Sequence, residues 1–340
     1  MKRAALPFLV AACVLSRATA TCGCGPETPI IVIGAGFAGL AAATELVKLN
    51  CTNITIIEAR DRVGGRAHTY TFPGTNVSVD MGPMWAYNYK IHPLRAIAEE
   101  NGFDRFPTNW DNHSYVNGSD GGRMIDDALF AAWEDEFDDL YTKARRWGGR
   151  RPNDKTLKRA VEWATENSPN LEYLTDSSIT EFIQWWWYTS AYGIETRESS
   201  VNWFDSSRWL RSAECPRLDP CYEYSIIDRG YGAIAAIMAE GFDDVRLSSP
   251  VTEVAVDYAG VTVTTQGGAQ ARAAFAVLAA PLPVVRDSIA FAPPLPESVT
   301  AALTNRQMCV HCAIDVSCAR GCVDCMISSE SARESREDSS

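Results

Sequence analysis

The chain has 340 residues and a formal net charge of −12. Hydrophobic residues make up 46% and charged residues 22%, which is typical of a globular protein large enough for two domains or one discontinuous domain. The acidic balance argues against nucleic acid or an anionic membrane as the main partner, and it suits a cationic small ligand.

The N-terminal segment has the three parts of a secretory signal peptide. The basic start MKR precedes the apolar run AALPFLVAACVL, and the small residues ATA end at Ala20. The run is too short for a transmembrane helix, and no other stretch is long and apolar enough to cross a bilayer. We therefore predict a signal peptide at residues 1–20 and a secreted protein, with an uncleaved anchor as the alternative.

Secretion would affect two other residue types. N-x-[ST] triplets, which are glycan acceptors in a eukaryotic secretory route, begin at Asn50, Asn53, Asn76, Asn112 and Asn117. Disulfides become possible in an oxidising compartment, and the candidates before the C-terminal region are Cys22, Cys24, Cys51, Cys215 and Cys221. The sequence leaves their pairing open.

Residues 29–58 have the pattern of a nucleotide-binding strand–turn–helix–strand unit. PIIVIG predicts a buried parallel strand, LAAATELVKLN predicts a helix on the sheet, and NITIIEA predicts a second strand that ends at Glu58. The intervening GAGFAG has the G-x-G-x-x-G spacing, with glycines at Gly34, Gly36 and Gly39.

Each glycine of this motif has a separate task. Gly34 permits the tight turn, Gly36 lets the backbone approach a pyrophosphate, and Gly39 lets helix and strand pack closely. The helix N-terminus offers free N–H groups to phosphates, and Glu58 lies where a carboxylate accepts hydrogen bonds from a ribose diol. The unit therefore predicts a dinucleotide site.

The stretch after Glu58 distinguishes a flavin site from a nicotinamide site. EARDRVGGRAHTY, residues 58–70, resembles the E-A-R-D-R-x-G-G-R extension of the flavin-dependent amine oxidases, which NAD dehydrogenases lack. The resemblance implies FAD as the cofactor. It also implies that Gly64 and Gly65 let the chain pass close to the flavin and pyrophosphate, and that Arg66 contacts a phosphate.

The resemblance continues along the chain. VDMGPMWAY, residues 79–87, is similar to the E-x-G-A-x-W segment that lies along the flavin ring, and Tyr87 stands near the substrate where many members have His or Glu. ITEFIQWWWYTSAY, residues 179–192, resembles an aromatic helix of the polyamine oxidases, which implies substrate contacts at Tyr188 and Tyr192 through cation–π attraction. Between them, residues 126–146 predict an amphipathic core helix with one apolar stripe at Leu129, Trp133, Phe137 and Leu140.

The later part of the chain also matches the polyamine oxidase pattern. YSIIDRGYGAIAAIMAE predicts a strand, a glycine turn and a helix, and VTEVAV with VTVTT around DYAG predicts a hairpin. AFAVLAA predicts a buried strand that returns to the nucleotide-binding domain. In the family, the residue at the position of Val251 contacts the adenine. The resemblance thus assigns cofactor binding to Gly34, Gly36, Ala38, Gly39, Glu58, Arg60, Gly65, Arg66, Gly82, Pro83, Met84, Trp85 and Val251.

Over residues 29–305 the chain is therefore identified as similar to the flavin-containing amine oxidases, in particular the secreted polyamine oxidases. The implied fold is α/β: a Rossmann-like, glutathione-reductase-like FAD-binding domain with an interleaved α+β substrate domain. We predict the FAD-binding domain at residues 21–100 and 223–288, and the substrate domain at 101–222 and 289–305. The implied reaction is FAD-dependent oxidation of an amine at a C–N bond with O₂ as acceptor, giving an imine or aldehyde, an amine and H₂O₂. The oligomeric state stays open.

The C-terminal region departs from the family pattern. The family continues with a lysine-bearing strand and a second flavin segment, whereas Lys158 is the last lysine of this chain. We therefore expect a C-terminally truncated fold with poor or absent catalysis, and we assign no catalytic residue. Alternatives are an L-amino-acid oxidase and a non-catalytic secreted fragment.

Residues 306–340 begin with a cysteine-rich stretch and end in low-complexity sequence. CVHC and CVDC have the paired spacing of a zinc site, but a secreted chain would oxidise such thiols, and we predict no metal site.

Overall fold

The computed structural model describes residues 12–13, 24–87, 89, 92–107, 116–117, 123–149, 155–174, 177–185, 195–201 and 224–304. The described residues up to 107 and from 224 onward form a first unit, and those from 116 to 201 form a second unit. Residues 289–304, which the sequence assigns to the substrate domain, lie in the first unit. Which unit binds which molecule stays a prediction.

A five-stranded sheet forms the centre of the first unit. Its strands are β1 (Ala12–Cys13), β2 (Ile30–Ile33), β3 (Ile54–Ile57), β11 (Asp244–Arg246) and β15 (Phe275–Leu278), in the order β1-β15-β2-β3-β11. All four residues of β2 are buried, as expected for an apolar run covered on both faces. Strands β15, β2, β3 and β11 are parallel, and β1 pairs antiparallel with β15. The predicted first two strands, and the predicted return of residues 275–278 to the sheet, are confirmed.

Helix α1 (Phe37–Lys48) connects β2 to β3 and buries Gly39, Leu40, Ala42 and Ala43. A disulfide between Cys24 and Cys51 joins the chain before β2 to the chain after α1, with the two Cα atoms 5.6 Å apart. Of the open pairings among the early cysteines, the structure therefore selects this one.

The first unit contains further elements besides the central sheet and α1. The hairpin β4 (Thr69–Thr71) and β5 (Ser78–Asp80) follows the first two strands. A second antiparallel sheet has the order β6-β10-β7, with β6 (Trp85–Tyr87), β7 (Arg105–Pro107) and β10 (Tyr224–Ile227). Helix α2 (Arg95–Glu100) precedes β7, and we label as α6 the helix Gly230–Ala239, which follows β10 after the predicted glycine turn.

The predicted hairpin is also present, in a four-stranded sheet of order β14-β13-β12-β16. Its strands are β12 (Val251–Asp257), β13 (Gly260–Thr265), β14 (Gln270–Ala273) and β16 (Ala290–Ala292). Because β16 pairs with β12, residues 290–292 belong to the first unit. The last helices of this unit are α7 (Leu282–Asp287) and α8 (Glu297–Thr304).

The second unit is helical around one apolar core. It contains β8 (Val116–Asn117), β9 (Arg123–Met124), α3 (Asp127–Gly148), α4 (Leu157–Glu166) and α5 (Ser177–Gln184). The predicted helix of residues 126–146 is confirmed, but its buried face differs from the predicted stripe. Phe137 and Leu140 are buried together with Phe130, whereas Leu129 is 40% exposed and Trp133 is only partly buried. The difference arises because Phe182 of α5 packs on the Phe130 ring, while α4 packs beside α3 and stacks Trp163 on Trp147.

Candidate functional site

The loop between β2 and α1 has backbone geometry that depends on its glycines. Gly34 has φ +106°, and a Cβ atom there would lie 2.8 Å from the carbonyl oxygen of Ala279. A Cβ atom on Gly39 would overlap the carbonyl oxygen of Gly34. These two glycines therefore serve the turn and the packing of helix on strand, as predicted.

Gly36 differs from the other two glycines. Its φ of −74° and ψ of 175° are open to any residue, and the nearest atom to an added Cβ would be the Cα of Gly65 at 3.8 Å. It is the N-cap residue of α1, without a side-chain cap, and the first turn of the helix contains no acidic residue. The first amides of α1 are thus left for an external acceptor, and the helix dipole favours an anion there. Ala38, the second helical residue, is exposed beside them.

Glu58 lies at the end of β3 and joins its strand to the glycine loop. Its Oε2 atom accepts a hydrogen bond from the backbone N–H of Ala35 at 2.7 Å, and its Oε1 atom accepts one from the N–H of Arg60 at 2.9 Å. The side chain is buried, yet each carboxylate oxygen keeps a second lone pair. This carboxylate is positioned to accept further hydrogen bonds from a diol.

The double-glycine loop crosses directly over the first glycine loop. Gly36 and Gly64 form a parallel bridge, and a Cβ atom on Gly65, which has φ +61°, would lie 3.1 Å from the Cα of Gly36. The guanidinium of Arg60 donates to the carbonyl oxygen of Gly65 at 2.7 Å, so this arginine fixes the loop. The side chain of Arg66 is exposed at the end of the loop.

The predicted ring-facing segment begins against the same loop. A Cβ atom on Gly82 would overlap the carbonyl oxygen of Arg66, so the two stretches are in direct backbone contact. Pro83 and Met84 are exposed, and Trp85 begins β6. The backbone of Tyr87 pairs with Tyr224. The side chain of Tyr87, and the whole of Tyr188 and Tyr192, lie outside the described residues.

Val251 is brought close to Glu58 by the chain that precedes it. The N–H of Ser249 donates to the carbonyl oxygen of Glu58 at 2.8 Å, and the N–H of Ser248 donates to that of Arg60 at 2.7 Å. Val251 follows as the buried first residue of β12. The predicted cofactor residues thus come together from four stretches of the first unit, which are residues 34–39, 58–66, 82–85 and Val251.

Sequence reasoning missed one group at this site. Asp80, directly before the segment of Gly82, accepts hydrogen bonds from the hydroxyl of Thr69 and the backbone N–H of Tyr231. Burial raises the pKa of the Asp80 carboxyl. Asp80 stands at the Glu position of the E-x-G-A-x-W pattern, and this was the available signal.

The arrangement fits a dinucleotide. The N-terminus of α1 has no side-chain cap and no acidic residue in its first turn, and Gly36 leaves space beside it. Glu58, at the end of β3, has a carboxylate with spare acceptor capacity. In the described part of the chain, no group of three or more histidine, cysteine, aspartate or glutamate side chains is arranged to hold a metal ion.

Comparison with known proteins agrees with this geometry. Residues 37–324 match the model of the flavin containing amine oxidoreductases. The chain belongs to this family. The match extends 19 residues beyond residue 305, where we predicted that the resemblance ends, and so includes part of the cysteine-rich stretch. The cofactor that goes with the family is FAD.

Among the relatives of this amine oxidoreductase, polyamine oxidase 4 of Oryza sativa subsp. japonica is 27% identical in an alignment of 300 residues. The alignment covers 83% of this chain and 57% of the relative. Polyamine oxidase 2 of Arabidopsis thaliana is also 27% identical, and its alignment covers 81% of this chain and 56% of the relative. The chain thus spans about half the length of these curated relatives.

A solved structure of putrescine oxidase bound to putrescine has the same fold. Its TM-score is 0.59 at 23% identity, over 82% of this chain and 63% of that one. The chain therefore has the FAD-binding amine oxidase fold, with mixed α/β content. None of the helices in the described ranges is long and apolar enough to cross a membrane.

Proposed function

We propose that the protein oxidises a polyamine or a related amine at a C–N bond with bound FAD, and that O₂ accepts the electrons to give H₂O₂. The observation that carries the proposal is that the Gly65 backbone packs on Gly36 beside the uncapped start of α1, while Gly82 packs on the adjacent Arg66. The family match and the polyamine oxidase relatives support the amine as substrate class. We further propose that the first unit is glutathione-reductase-like.

Within this proposal the protein residues bind and orient, while FAD supplies the hydride-accepting chemistry. The amides at the start of α1 and the Arg66 guanidinium hold the pyrophosphate, and Glu58 accepts hydrogen bonds from the ribose diol. Residues 82–85 would hold the flavin ring, and Tyr87, Tyr188 and Tyr192 would bind the substrate. The net charge of −12 attracts a cationic amine to the protein.

Flavin binding is tested by the substitution Gly36→Ala. The chain has room for a Cβ atom at residue 36, so this variant keeps its fold, while the methyl group occupies the place of the pyrophosphate. We expect wild-type chain to bind FAD, as measured by quenching of flavin fluorescence, and Gly36→Ala to bind it at least about tenfold more weakly. A folded Gly36→Ala variant with wild-type FAD affinity would contradict this site.

The substrate class is tested separately with the FAD-loaded protein. H₂O₂ release would be measured with spermidine, with putrescine and with L-amino acids. The proposal predicts release with a polyamine or diamine, at the low rate expected of a chain that has no lysine after Lys158. Release with L-amino acids alone would assign an L-amino-acid oxidase instead, and a FAD-loaded chain without turnover on any amine would leave a binding protein without oxidase activity.

We also propose that the protein is secreted and glycosylated. Asn76 is the triplet best suited to carry a glycan, because it lies exposed in the turn between β4 and β5. At the Asn53 triplet, by contrast, the acceptor amide itself is engaged, because the Asn53 side chain donates to the carbonyl oxygen of Glu27 at 3.3 Å. Expression in a secreting eukaryotic host should give a glycan on Asn76 that Asn76→Gln removes. Retention of the chain in the cells without a glycan would contradict the proposal.

A further inference from the structure

Asp80 joins a hairpin to the start of a helix. Its two carboxylate oxygens each accept the backbone N–H of Tyr231 at 3.2 Å, and its Oδ1 atom accepts the Thr69 hydroxyl at 2.6 Å. The Thr69 oxygen in turn accepts the N–H of Gly232 at 2.9 Å. The first turn of α6 has no acidic residue of its own, so Asp80 supplies its negative charge and its cap from β5.

Helix α6 in turn packs against both glycine loops of the candidate cofactor site. The ring of Tyr231 meets the ring of Phe37, the first residue of α1, at a centroid distance of 6.2 Å and an interplanar angle of 84°. One turn further along, the side chain of Ala235 would lie 3.3 Å from a Cβ atom on Gly64. A displacement at the start of α6 would therefore also move the two glycine loops, which lie on either side of the predicted pyrophosphate position.

Asp80 is also where the predicted ring-facing segment leaves the hairpin. The next residue, Met81, donates its N–H to the carbonyl oxygen of His68 at 2.7 Å. Gly82 then contacts the carbonyl oxygen of Arg66. The one carboxylate thus lies at the junction of the hairpin, helix α6 and residues 82–85.

We propose that Asp80 is a positioning residue for the flavin: by holding the start of α6 against the base of the hairpin, it fixes residues 82–85 relative to the glycine loops. The inference rests on the proposed FAD binding and adds to it a residue that does not itself contact the cofactor. It explains why a partly buried carboxylate is present at a place where desolvation opposes its charge.

The test uses paired substitutions in the full chain. Asp80→Asn keeps the size but loses the charge and one acceptor oxygen. Thr69→Val removes the hydroxyl that Asp80 and Gly232 share, whereas Thr69→Ser retains it. The control is Asp257→Asn in the four-stranded sheet, which removes a carboxylate that accepts hydrogen bonds from Arg272 and from the N–H of Ala259. Circular dichroism identifies the temperature at which every variant is folded.

Two measurements separate positioning from a general loss of stability. The first is the dissociation constant for FAD of the folded variants, with the absorbance spectrum of the bound flavin. The second is hydrogen exchange of residues 81–87 and 230–233 in the cofactor-free chain. We expect Asp80→Asn and Thr69→Val to weaken FAD binding about tenfold, to shift the flavin spectrum and to speed exchange in both segments. Thr69→Ser and Asp257→Asn should match the wild type in FAD affinity, in the flavin spectrum and in the exchange rates.

The outcomes are distinct. If the wild type binds FAD and a folded Asp80→Asn binds it within twofold, the inference is wrong and the proposed function stands. The inference is also wrong if Asp257→Asn weakens FAD binding as much as Asp80→Asn. A wild-type chain that binds no FAD overturns the proposed function and the inference with it. Should Asp80→Asn fail to fold, the contrast between Thr69→Val and Thr69→Ser decides the inference in the same way.

Discussion

Gly36 and Gly39 lie three residues apart in one motif, yet their environments are opposite. A Cβ atom on Gly39 would overlap the carbonyl oxygen of Gly34 and lie 3.3 Å from the side chain of Val32, and neither neighbour can retreat from a buried helix–strand contact. Gly36 meets only ordinary van der Waals contacts. We therefore expect that Gly39 serves the fold and that Gly36 serves the ligand.

This contrast predicts different stabilities for the two alanine variants. Gly39→Ala should lower the free energy of unfolding by roughly 3 kcal/mol, because overpacking forces the helix away from the strand. Gly36→Ala should lower it by less than about 1 kcal/mol, the cost of a poorer N-cap. Urea denaturation of the cofactor-free chains measures both. Equal losses in the two variants would contradict the division of tasks.

Glu136 on α3 accepts hydrogen bonds from distant backbone N–H groups in the second unit, as Asp80 does in the first unit. Its carboxylate accepts the backbone N–H groups of Glu172, Tyr173 and Leu174 at 2.6–2.8 Å. Burial opposes the charge, but the three hydrogen bonds prevail and lower the pKa below its usual value of 4.5. The ionised side chain thus holds the loop before α5 against the middle of α3.

The lowered pKa predicts a pH-dependent contribution to stability. A carboxyl whose pKa is depressed on folding stabilises the protein above its unfolded-state pKa, and that stabilisation is lost as the pH falls through the folded-state pKa. Glu136→Gln should therefore cost about 1 kcal/mol at pH 7, a modest amount because the site is partly solvated, and progressively less below pH 4.5. Unfolding curves at pH 7 and pH 4 measure the difference. A cost that does not change with pH would contradict this role.

At the scale of the element, the strand–helix–strand unit is held by a covalent link as well as by packing. The disulfide from Cys24 to Cys51 closes a loop of 27 residues that contains β2 and α1. Cys51 is fully buried, so its replacement also affects packing. The link restrains the unfolded chain, which is the main way in which a disulfide stabilises.

Reduction of this disulfide should lower the free energy of unfolding by about 3.5 kcal/mol, as expected for a loop of this length. Chemical denaturation with and without reductant measures the effect. In the variant with Cys24→Ser and Cys51→Ser, the reductant should have no further effect on the first unit. If reductant destabilises this variant as much as the wild type, another cysteine pair is responsible.

The elements that the sequence predicted well are those with a local pattern. The run PIIVIG, the glycine spacing, the hairpin around DYAG and the helix of residues 126–146 are each specified by neighbouring residues, and the structure contains all of them. The buried face of α3 was predicted less well, because the residues of that helix that meet the core depend on the packing of α4 and α5 against it. The cap of α6 was missed because Asp80 and Tyr231 are 151 residues apart.

At the scale of the whole molecule, all thirteen predicted cofactor residues lie in the first unit. Bound FAD should therefore stabilise that unit selectively, since a ligand stabilises only the structure that must form for it to bind. At a hundredfold excess over its dissociation constant, FAD should raise the opening free energy of amides in β2, α1 and β3 by up to about 2.7 kcal/mol. Amides of α3 and α4 should exchange at unchanged rates. Hydrogen exchange with and without FAD measures both regions, and Gly36→Ala should abolish the difference. Equal protection of α3 and α4 would mean that FAD binding also orders the second unit.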